Sequence, residues 1–215
     1  MAFFPIVGML IGFLSFLAYY LLSFLLPKPF VLWLTIGFLA FLTRGLHLDG
    51  FADTIDGIAA GGPKEKILDV MRDSRIGAFG VIGLIFLIGA KYLALDHISH
   101  LSIPHSLILM TVMGRNAMVL VCYGSAYARQ GEGLAKPFTE NLTVRELVIS
   151  SISAFGIGLL LTGFKGFLIF FGIGLLSLGY RLFFLKKLNG VTGDILGGAN
   201  ELSEILCLIL LIILK

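Results

Sequence analysis

The sequence is poor in charged residues and in cysteine. Only 13% of its 215 residues are charged, whereas 58% are hydrophobic and the mean hydropathy is +1.00. Soluble domains carry about 25% charged residues, so this chain has too little polar surface to cover a water-soluble globule. Two cysteines within apolar runs, Cys122 and Cys207, provide neither a disulfide framework nor a metal-binding spacing. These shortages exclude a soluble enzyme, a disordered chain and a nucleic-acid-binding protein, and they indicate an integral membrane protein.

Seven apolar segments are each long enough to cross a bilayer, which takes about 20 helical residues. We therefore predict an all-α, polytopic membrane helix bundle that forms a single domain over residues 1–215. The predicted spans cover residues 3–26, 30–46, 76–95, 103–128, 144–162, 164–185 and 195–214. Pro63, which follows a glycine pair, predicts the start of a short amphipathic helix on the membrane surface. The many glycines would allow close helix packing and a homo-oligomer.

The basic residues indicate how the chain is oriented. Most lysines and arginines fall in or beside the loops that follow the second, fourth and sixth spans, whereas Lys28, Lys91, Lys165 and Lys215 fall on the other side. The positive-inside rule then predicts a cytoplasmic N-terminus. All acidic residues except Asp96 also fall on the predicted cytoplasmic side. Acidic residues do not set topology, so this second asymmetry indicates a binding or catalytic face there.

Three aspartates follow the second predicted span. On a helix, Asp49, Asp53 and Asp56 fall within about 60° of one another, and no cation lies between them in the sequence. Three carboxylates on one face repel each other, and the repulsion grows beside a membrane. Oxygen ligands select a hard cation such as Mg²⁺ or Mn²⁺, which takes its remaining ligands from water and substrate phosphates. The spacing therefore favours a metal site, with a solvated acidic turn as the alternative.

Two further features flank these aspartates. On a helix, His47 points about 160° away from Asp49, so that it either contacts a substrate or is a structural imidazole. After the short amphipathic helix, Arg72 and Arg75 enclose Asp73. Arginine guanidinium groups match phosphate oxygens, so this cluster favours phosphate binding. The alternative is an ion-pair cluster at a helix end that contacts lipid headgroups.

Two later segments carry charge on the same predicted side of the membrane. Arg129 lies in a glycine-containing loop, and Arg115 lies deeper in the fourth span, where a charge tends to face a polar cavity. At the start of the seventh span, Asp194, Glu201 and Glu204 fall on one side of a helix, and we expect them to face a site rather than lipid. Carboxylates and arginines without a nucleophilic serine or cysteine favour metal-assisted phosphoryl transfer.

The motifs of the chain resemble the cobalamin synthase family, the adenosylcobinamide-GDP ribazoletransferases. The matching segments are 45–57 (GLHLDGFADTIDG), 71–80 (MRDSRIGAFG), 127–129 (YAR) with 132–134 (EGL), and 192–202 (TGDILGGANEL). The resemblance implies a Mg²⁺-requiring enzyme in the cell membrane of a prokaryote. Its substrates would be adenosylcobinamide-GDP and α-ribazole or α-ribazole 5′-phosphate, and GMP would be released. The expected partners are therefore these substrates and the lipid bilayer, without a nucleic acid.

The resemblance also implies roles for individual residues. Asp49, Asp53 and Asp56 would hold Mg²⁺ on the pyrophosphate, and Asp73 would steer or deprotonate the attacking hydroxyl. The residues expected to bind substrate are His47, Arg72, Arg75, Arg115, Arg129, Asp194, Asn200, Glu201 and Glu204. Among these, the arginines at 72, 75 and 129 would neutralise phosphate charge. Family members usually carry a short Phe/Thr/Arg/Leu/Pro-type stretch before the first span, whereas this chain starts at what resembles the first span itself.

Two other functions fit the pattern less well. A CDP-alcohol phosphotransferase requires Asp-Gly-x-x-Ala-Arg, but Gly61 stands where the arginine should be and Val70 stands where the next glycine should be. A cation transporter requires polar residues near the membrane midplane and often has internal repeats. Here the acidic residues are expected at one membrane face, and the two halves of the chain show no evident repeat. Both alternatives are therefore disfavoured.

Overall fold

The computed structural model describes residues 1–214, which form ten helices and no named β-strand. The helices are α1 (Phe4–Ser23), α2 (Lys28–Leu42), α3 (Leu46–Ala60), α4 (Lys64–Val70), α5 (Ala78–His97), α6 (Ile103–Cys122), α7 (Lys136–Asn141), α8 (Val144–Thr162), α9 (Phe164–Leu188) and α10 (Gly193–Ile213). The predicted all-α bundle is confirmed. The short helix predicted after Pro63 is α4, and its residue Ile67 and the following Met71 are buried.

Six helices are long and apolar enough to cross a membrane by themselves, namely α1, α5, α6, α8, α9 and α10. Helices α2 and α3 are long and apolar enough only when taken together, and they meet at an angle of 89°. The bend falls at Arg44 and Gly45, which adopt left-handed backbone conformations with φ of 53° and 68°. The described residues thus contain six spans, or seven if the bent pair counts as one, in agreement with the predicted bundle.

The clearest difference from the predicted boundaries is at the end of α6. This helix ends at Cys122, whereas the predicted span continues to about residue 128. The segment after it is instead held by two hydrogen bonds: the Ala128 amide donates to the Val191 carbonyl, and the Val191 amide donates to the Ala126 carbonyl, each at 2.9 Å. This short parallel pairing places the loop that carries Arg129 against the start of α10. The apolar run continues beyond the helix, so hydropathy alone could not locate its end.

Helix α6 is the centre of the bundle. Most of its residues are buried, and it packs against α1, α8, α9 and α10. On α1, Gly8 and Gly12 allow the two backbones to touch, since a Cβ on Gly12 would lie 2.5 Å from the Cα of Ile108. The Thr111 hydroxyl donates to the Gly8 carbonyl at 2.7 Å. The outer faces of α1, α5, α8 and α9 carry large exposed apolar side chains, as expected for surfaces in contact with lipid.

The contact between α3 and α10 positions the candidate site. A Cβ on Gly50 would lie 2.8 Å from the Cα of Asp194, and a Cβ on Gly197 would lie 3.2 Å from the Cα of His47. Small residues at these points let the two backbones approach closely. The aspartate-rich motif on α3 and the acidic start of α10 are far apart in sequence, and this packing makes them neighbours.

Candidate active site

A cavity of about 640 Å³ opens at the end of the bundle where α1 and α10 begin. Its polar wall is assembled from α3, α6, α10 and the segments that follow α4 and α6. The polar residues of this wall are His47, Asp49, Arg72, Arg115, Arg129, Gln130, Glu132 and Asp194. The apolar wall includes Phe4, Met118, Leu134 and Phe138. The cavity therefore presents arginines and carboxylates beside an apolar surface.

An ion pair between Arg129 and Asp194 forms part of the cavity wall. Arg129 Nη2 donates to Asp194 Oδ2 at 2.6 Å and to the Met71 carbonyl at 3.2 Å. The Thr192 hydroxyl accepts from the Ile195 amide at the start of α10 and lies 3.2 Å from the same Asp194 oxygen. These contacts join the end of α4, the loop after α6 and α10. The buried Nε of Arg129 has no partner among residues 1–214, so one donor of this cavity-lining guanidinium is unpaired.

The three predicted metal ligands share α3 but have different surroundings. Asp49 lines the cavity. Asp53 is partly buried, and its carboxylate is close enough to that of Asp49 for the two charges to repel each other. Asp56 instead accepts hydrogen bonds from the backbone amides of Gly77 and Gly80, at 2.7 and 2.8 Å. It thereby satisfies amides at the N-terminus of α5 that have no partner within that helix. Within residues 1–214, no group of three His, Cys, Asp or Glu side chains is arranged to hold a metal ion.

The carboxylates at this end nevertheless have the oxygen donors that a hard cation prefers. Asp53 interacts electrostatically with Asp49 and Asp194, and Arg129 is the cation that acts on it. Mg²⁺ often takes only one or two protein carboxylates and completes its coordination with water and substrate phosphates. Asp49 and Asp53 have the oxygen donors for such a site. A ligand role for Asp56 stays a prediction, since its contacts in the structure are with α5.

Asp73 and Arg75 lie outside this cavity, in a separate recess beside Asp56 and Gly77. The Arg75 Nη2, Nε and backbone amide donate to the Asp73 carboxylate at 2.7, 3.1 and 3.0 Å. These hydrogen bonds hold the pKa of Asp73 at about 2, below its usual value. Such a carboxylate is a weak base at neutral pH, which disfavours deprotonation of a hydroxyl by Asp73. Arg72, in contrast, lines the cavity.

Asn200, Glu201 and Glu204 are buried between helices, and none of the three lines the cavity. Lys91 Nζ donates to one carboxylate oxygen of each glutamate at 2.6 Å. Asn200 Nδ2 donates to the other oxygens of Glu201 and Glu204, at 3.2 and 3.0 Å, and its Oδ1 accepts from Arg115. The predicted substrate contacts of these three residues therefore differ from the contacts observed, because their polar atoms pair with one another and with buried cations.

Lys91 is the functional candidate that sequence reasoning missed. The sequence predicted that it lies on the opposite side of the membrane from Glu201 and Glu204, but it is 3% exposed and paired with both, so these assignments to opposite sides cannot both hold. A signal was available in the sequence. Lys91 is the only charged residue of the third predicted span, and two glutamates interrupt the last span. Buried charges require partners, so a comparison of charges between spans could have paired them.

His47 is buried at the cavity wall. Its Nδ1 atom has no hydrogen-bond partner within the described chain. Buried polar atoms are nearly always paired in folded proteins, so the free Nδ1 favours the substrate-contact alternative over a purely structural imidazole.

The structure is a polytopic membrane bundle, and it places arginines and carboxylates around a cavity at one end. This arrangement defines a class of membrane protein suited to phosphate-group chemistry. Residues 1–212 match the protein family described as Cobalamin-5-phosphate synthase. The chain belongs to this family and is a membrane transferase of cobalamin biosynthesis.

Several relatives carry the name adenosylcobinamide-GDP ribazoletransferase. The protein of Acetivibrio thermocellus is 37% identical over 100% of this chain and 87% of its own length. Those of Alkaliphilus metalliredigens and Geotalea daltonii are 40% and 37% identical, over 94% and 99% of this chain and 80% and 85% of their own lengths. No solved structure matches the chain. The family resemblance predicted from the motifs is therefore confirmed.

Proposed function

We propose that this enzyme transfers adenosylcobinamide phosphate from adenosylcobinamide-GDP to α-ribazole or α-ribazole 5′-phosphate, giving adenosylcobalamin or its 5′-phosphate and GMP. A ribose hydroxyl oxygen forms a bond to the cobinamide-linked phosphorus, the bond from that phosphorus to the oxygen that leaves with GMP breaks, and the hydroxyl proton is released. The names of the relatives support this reaction. The observation that carries it is the grouping of Arg72, Arg115 and Arg129 around one cavity.

The three cavity arginines suit a pyrophosphate group. Guanidinium groups donate paired hydrogen bonds to phosphate oxygens and neutralise charge that develops as GMP leaves. Arg129 is held in place by Asp194 and keeps its Nε free. Arg72 is exposed at the cavity wall without an ion-pair partner among residues 1–214. Phosphoryl transfer depends mainly on such positioning and charge neutralisation rather than on a protein nucleophile.

We further propose that Mg²⁺ is the metal and that Asp49 and Asp53 hold it together with phosphate oxygens of the substrate. When bound, Mg²⁺ would neutralise phosphate charge and make the phosphorus more electrophilic. Asp49 at the cavity and Asp53 one turn later on α3 would otherwise repel a nucleoside diphosphate. The chain's own residues therefore have opposite tasks: the aspartates recruit the cation, and the arginines bind the anion.

The apolar wall and His47 suit the remaining parts of a nucleoside substrate. Phe4 and Phe138 pack edge to face with their ring centroids 5.9 Å apart, and Leu134 beside them is largely exposed. Such a surface would receive an aromatic base. The free Nδ1 of His47 would form a hydrogen bond with a sugar hydroxyl or with the ring of the base.

We propose that the cavity faces the cytoplasm of a prokaryotic cell. It opens at the end of the bundle where α1 begins, and the positive-inside rule assigns that end to the cytoplasm. Nucleotide substrates are made in that compartment, and the lipid bilayer surrounds the apolar outer faces of the helices.

GMP release by purified protein in lipid nanodiscs tests the proposed function. The reaction contains adenosylcobinamide-GDP, α-ribazole 5′-phosphate and Mg²⁺, and each component is omitted in turn. We expect GMP release only when both organic substrates and the metal are present, and its loss on addition of EDTA. Release without the ribazole would indicate hydrolysis instead, and no release with any divalent cation would contradict the proposal.

A further inference from the structure

A buried charge network lies between α5, α6 and α10, beside the cavity. Lys91 Nζ is 2.6 Å from a carboxylate oxygen of Glu201 and 2.6 Å from one of Glu204, and none of these three side chains is more than 6% exposed. Asn200 binds the two remaining carboxylate oxygens. Gly114 makes room for this network, since a Cβ there would lie 2.6 Å from Asn200 Oδ1. The close packing of α6 against this network therefore depends on the absence of a side chain at position 114.

Arg115 connects the network to the cavity. Its Nη1 donates to Asn200 Oδ1 and lies 3.6 Å from Glu204 Oε1. The side chain also lines the cavity. Its Nε and Nη2 make no hydrogen bond within residues 1–214, and neither is a fully buried atom without a partner. Arg115 therefore has unpaired donors on a side chain that lines the cavity.

The four charged groups of the network balance one another. Two carboxylates, Glu201 and Glu204, face two cations, Lys91 and Arg115. Lys91 binds both carboxylates closely, whereas Arg115 stays at the edge of the network, 3.6 Å from one oxygen. In the membrane interior an unbalanced charge is costly. Without Lys91, Arg115 would be the only cation beside two carboxylates, and both its charge and its donors would be drawn toward them.

We propose that Lys91 is a positioning residue that leaves Arg115 free to bind a phosphate group in the cavity. Lys91 offsets one of the two glutamate charges and binds an oxygen of each glutamate, so that the network with Arg115 is neutral and lacks the net negative charge that would repel an incoming anion. Lys91 itself does not line the cavity, and it acts only through the network. The identity of the bound phosphate as part of a nucleotide substrate rests on the proposed function, whereas the charge balance itself does not.

Binding of inorganic pyrophosphate to the full chain in nanodiscs tests this proposal, with variants that shift the charge balance in opposite directions. Lys91→Met leaves one uncompensated negative charge, and we expect it to raise the Kd by about tenfold or more. Glu201→Gln leaves one uncompensated positive charge, and we expect it to lower the Kd. The double variant Lys91→Met/Glu201→Gln restores the balance, and we expect its Kd to return to within about threefold of wild type.

The opposite signs separate positioning from mere structural support, because damage to packing would not tighten binding. Glu201→Gln keeps the Lys91–Glu204 pair, so this arm remains informative if Lys91→Met fails to fold. A Kd that stays unchanged or rises in Glu201→Gln would overturn the proposal, as would a wild-type protein that binds no pyrophosphate. Lys165→Met, which changes an exposed lysine at the start of α9, is the control and should bind as wild type does.

GMP release measured on the same preparations distinguishes this proposal from the proposed function. Wild-type protein that shows the charge-dependent Kd shifts but releases no GMP would contradict the reaction and leave the positioning role of Lys91 intact. If wild-type protein releases GMP but the Kd of the variants does not follow the charge balance, the positioning role of Lys91 is contradicted and the proposed reaction is kept.

Discussion

Four aspartates that the sequence assigned to one site have different environments in the folded chain. Asp49 lines the cavity, Asp53 follows one turn later on α3, Asp56 binds the start of α5, and Asp73 pairs with Arg75. Helical periodicity predicted that the first three share one stripe, and α3 does extend over all of them. It could not predict that α5 would supply amides to Asp56, because that contact joins segments brought together only by tertiary packing.

Asp56→Asn should destabilise the protein even in EDTA. The carboxylate accepts two backbone hydrogen bonds at the start of α5, and an amide has only one acceptor oxygen. We expect the free energy of unfolding to fall by about 1 to 2 kcal/mol, measured by denaturant unfolding in detergent with EDTA present. If Asp56 acts only as a metal ligand, the substitution would change stability only when metal is supplied.

The pH dependence of turnover should not report the ionisation of Asp73. Its pKa is depressed to about 2 by Arg75, so the stabilisation it provides is present above the unfolded-state pKa of about 3.9 and is lost only as the pH falls toward 2. Between about pH 5 and pH 8, Asp73 stays ionised. The kcat/KM profile of Asp73→Asn should therefore have the same shape as that of wild type. If the acidic limb of the kcat/KM profile shifts in Asp73→Asn, Asp73 acts as the base after all.

At the scale of helices, apolar length predicted most of the spans, but not the local geometry that shapes the site. The α2–α3 bend depends on left-handed conformations at Arg44 and Gly45, and arginine gives no sequence signal for that conformation. The loop after α6 depends on pairing with Val191, a residue that precedes a different helix. Hydropathy describes how well a segment suits lipid, and both features depend instead on backbone contacts.

Gly12→Ala should weaken the contact between α1 and α6. The added Cβ would lie 2.5 Å from the Cα of Ile108 and 2.7 Å from the Leu107 carbonyl oxygen, so the two helices must separate. We expect a loss of about 1–3 kcal/mol in unfolding free energy. Gly89→Ala on α5 is the matched control, because a Cβ there meets nothing within 4 Å. That change should be neutral or stabilising by up to about 1 kcal/mol. Equal effects of the two substitutions would contradict the proposed helix contact.

At the scale of the whole molecule, the sequence predicted which charged segments matter better than it predicted their partners. His47, Asp49, Arg72, Arg115, Arg129 and Asp194 all line one cavity. Glu201 and Glu204 were expected in the same site, yet they bind Lys91 from another span. Residues at the ends of helices could be grouped by the predicted topology alone. The pairing inside the bundle depends on which helices are neighbours and on their rotation, and neither is contained in the order of the spans.

A comparison of Arg72→Met with Arg75→Met tests most directly whether this cavity is the active site. Both arginines are exposed and lie in the same short segment, but Arg72 lines the cavity and Arg75 lies in the separate recess with Asp73. The measurement is kcat/KM for adenosylcobinamide-GDP from GMP release. We expect Arg72→Met to lower it by about tenfold or more and Arg75→Met to change it by less than about twofold. The reverse result would place the phosphate in the recess beside Asp56 and Asp73 and contradict the assignment of the cavity.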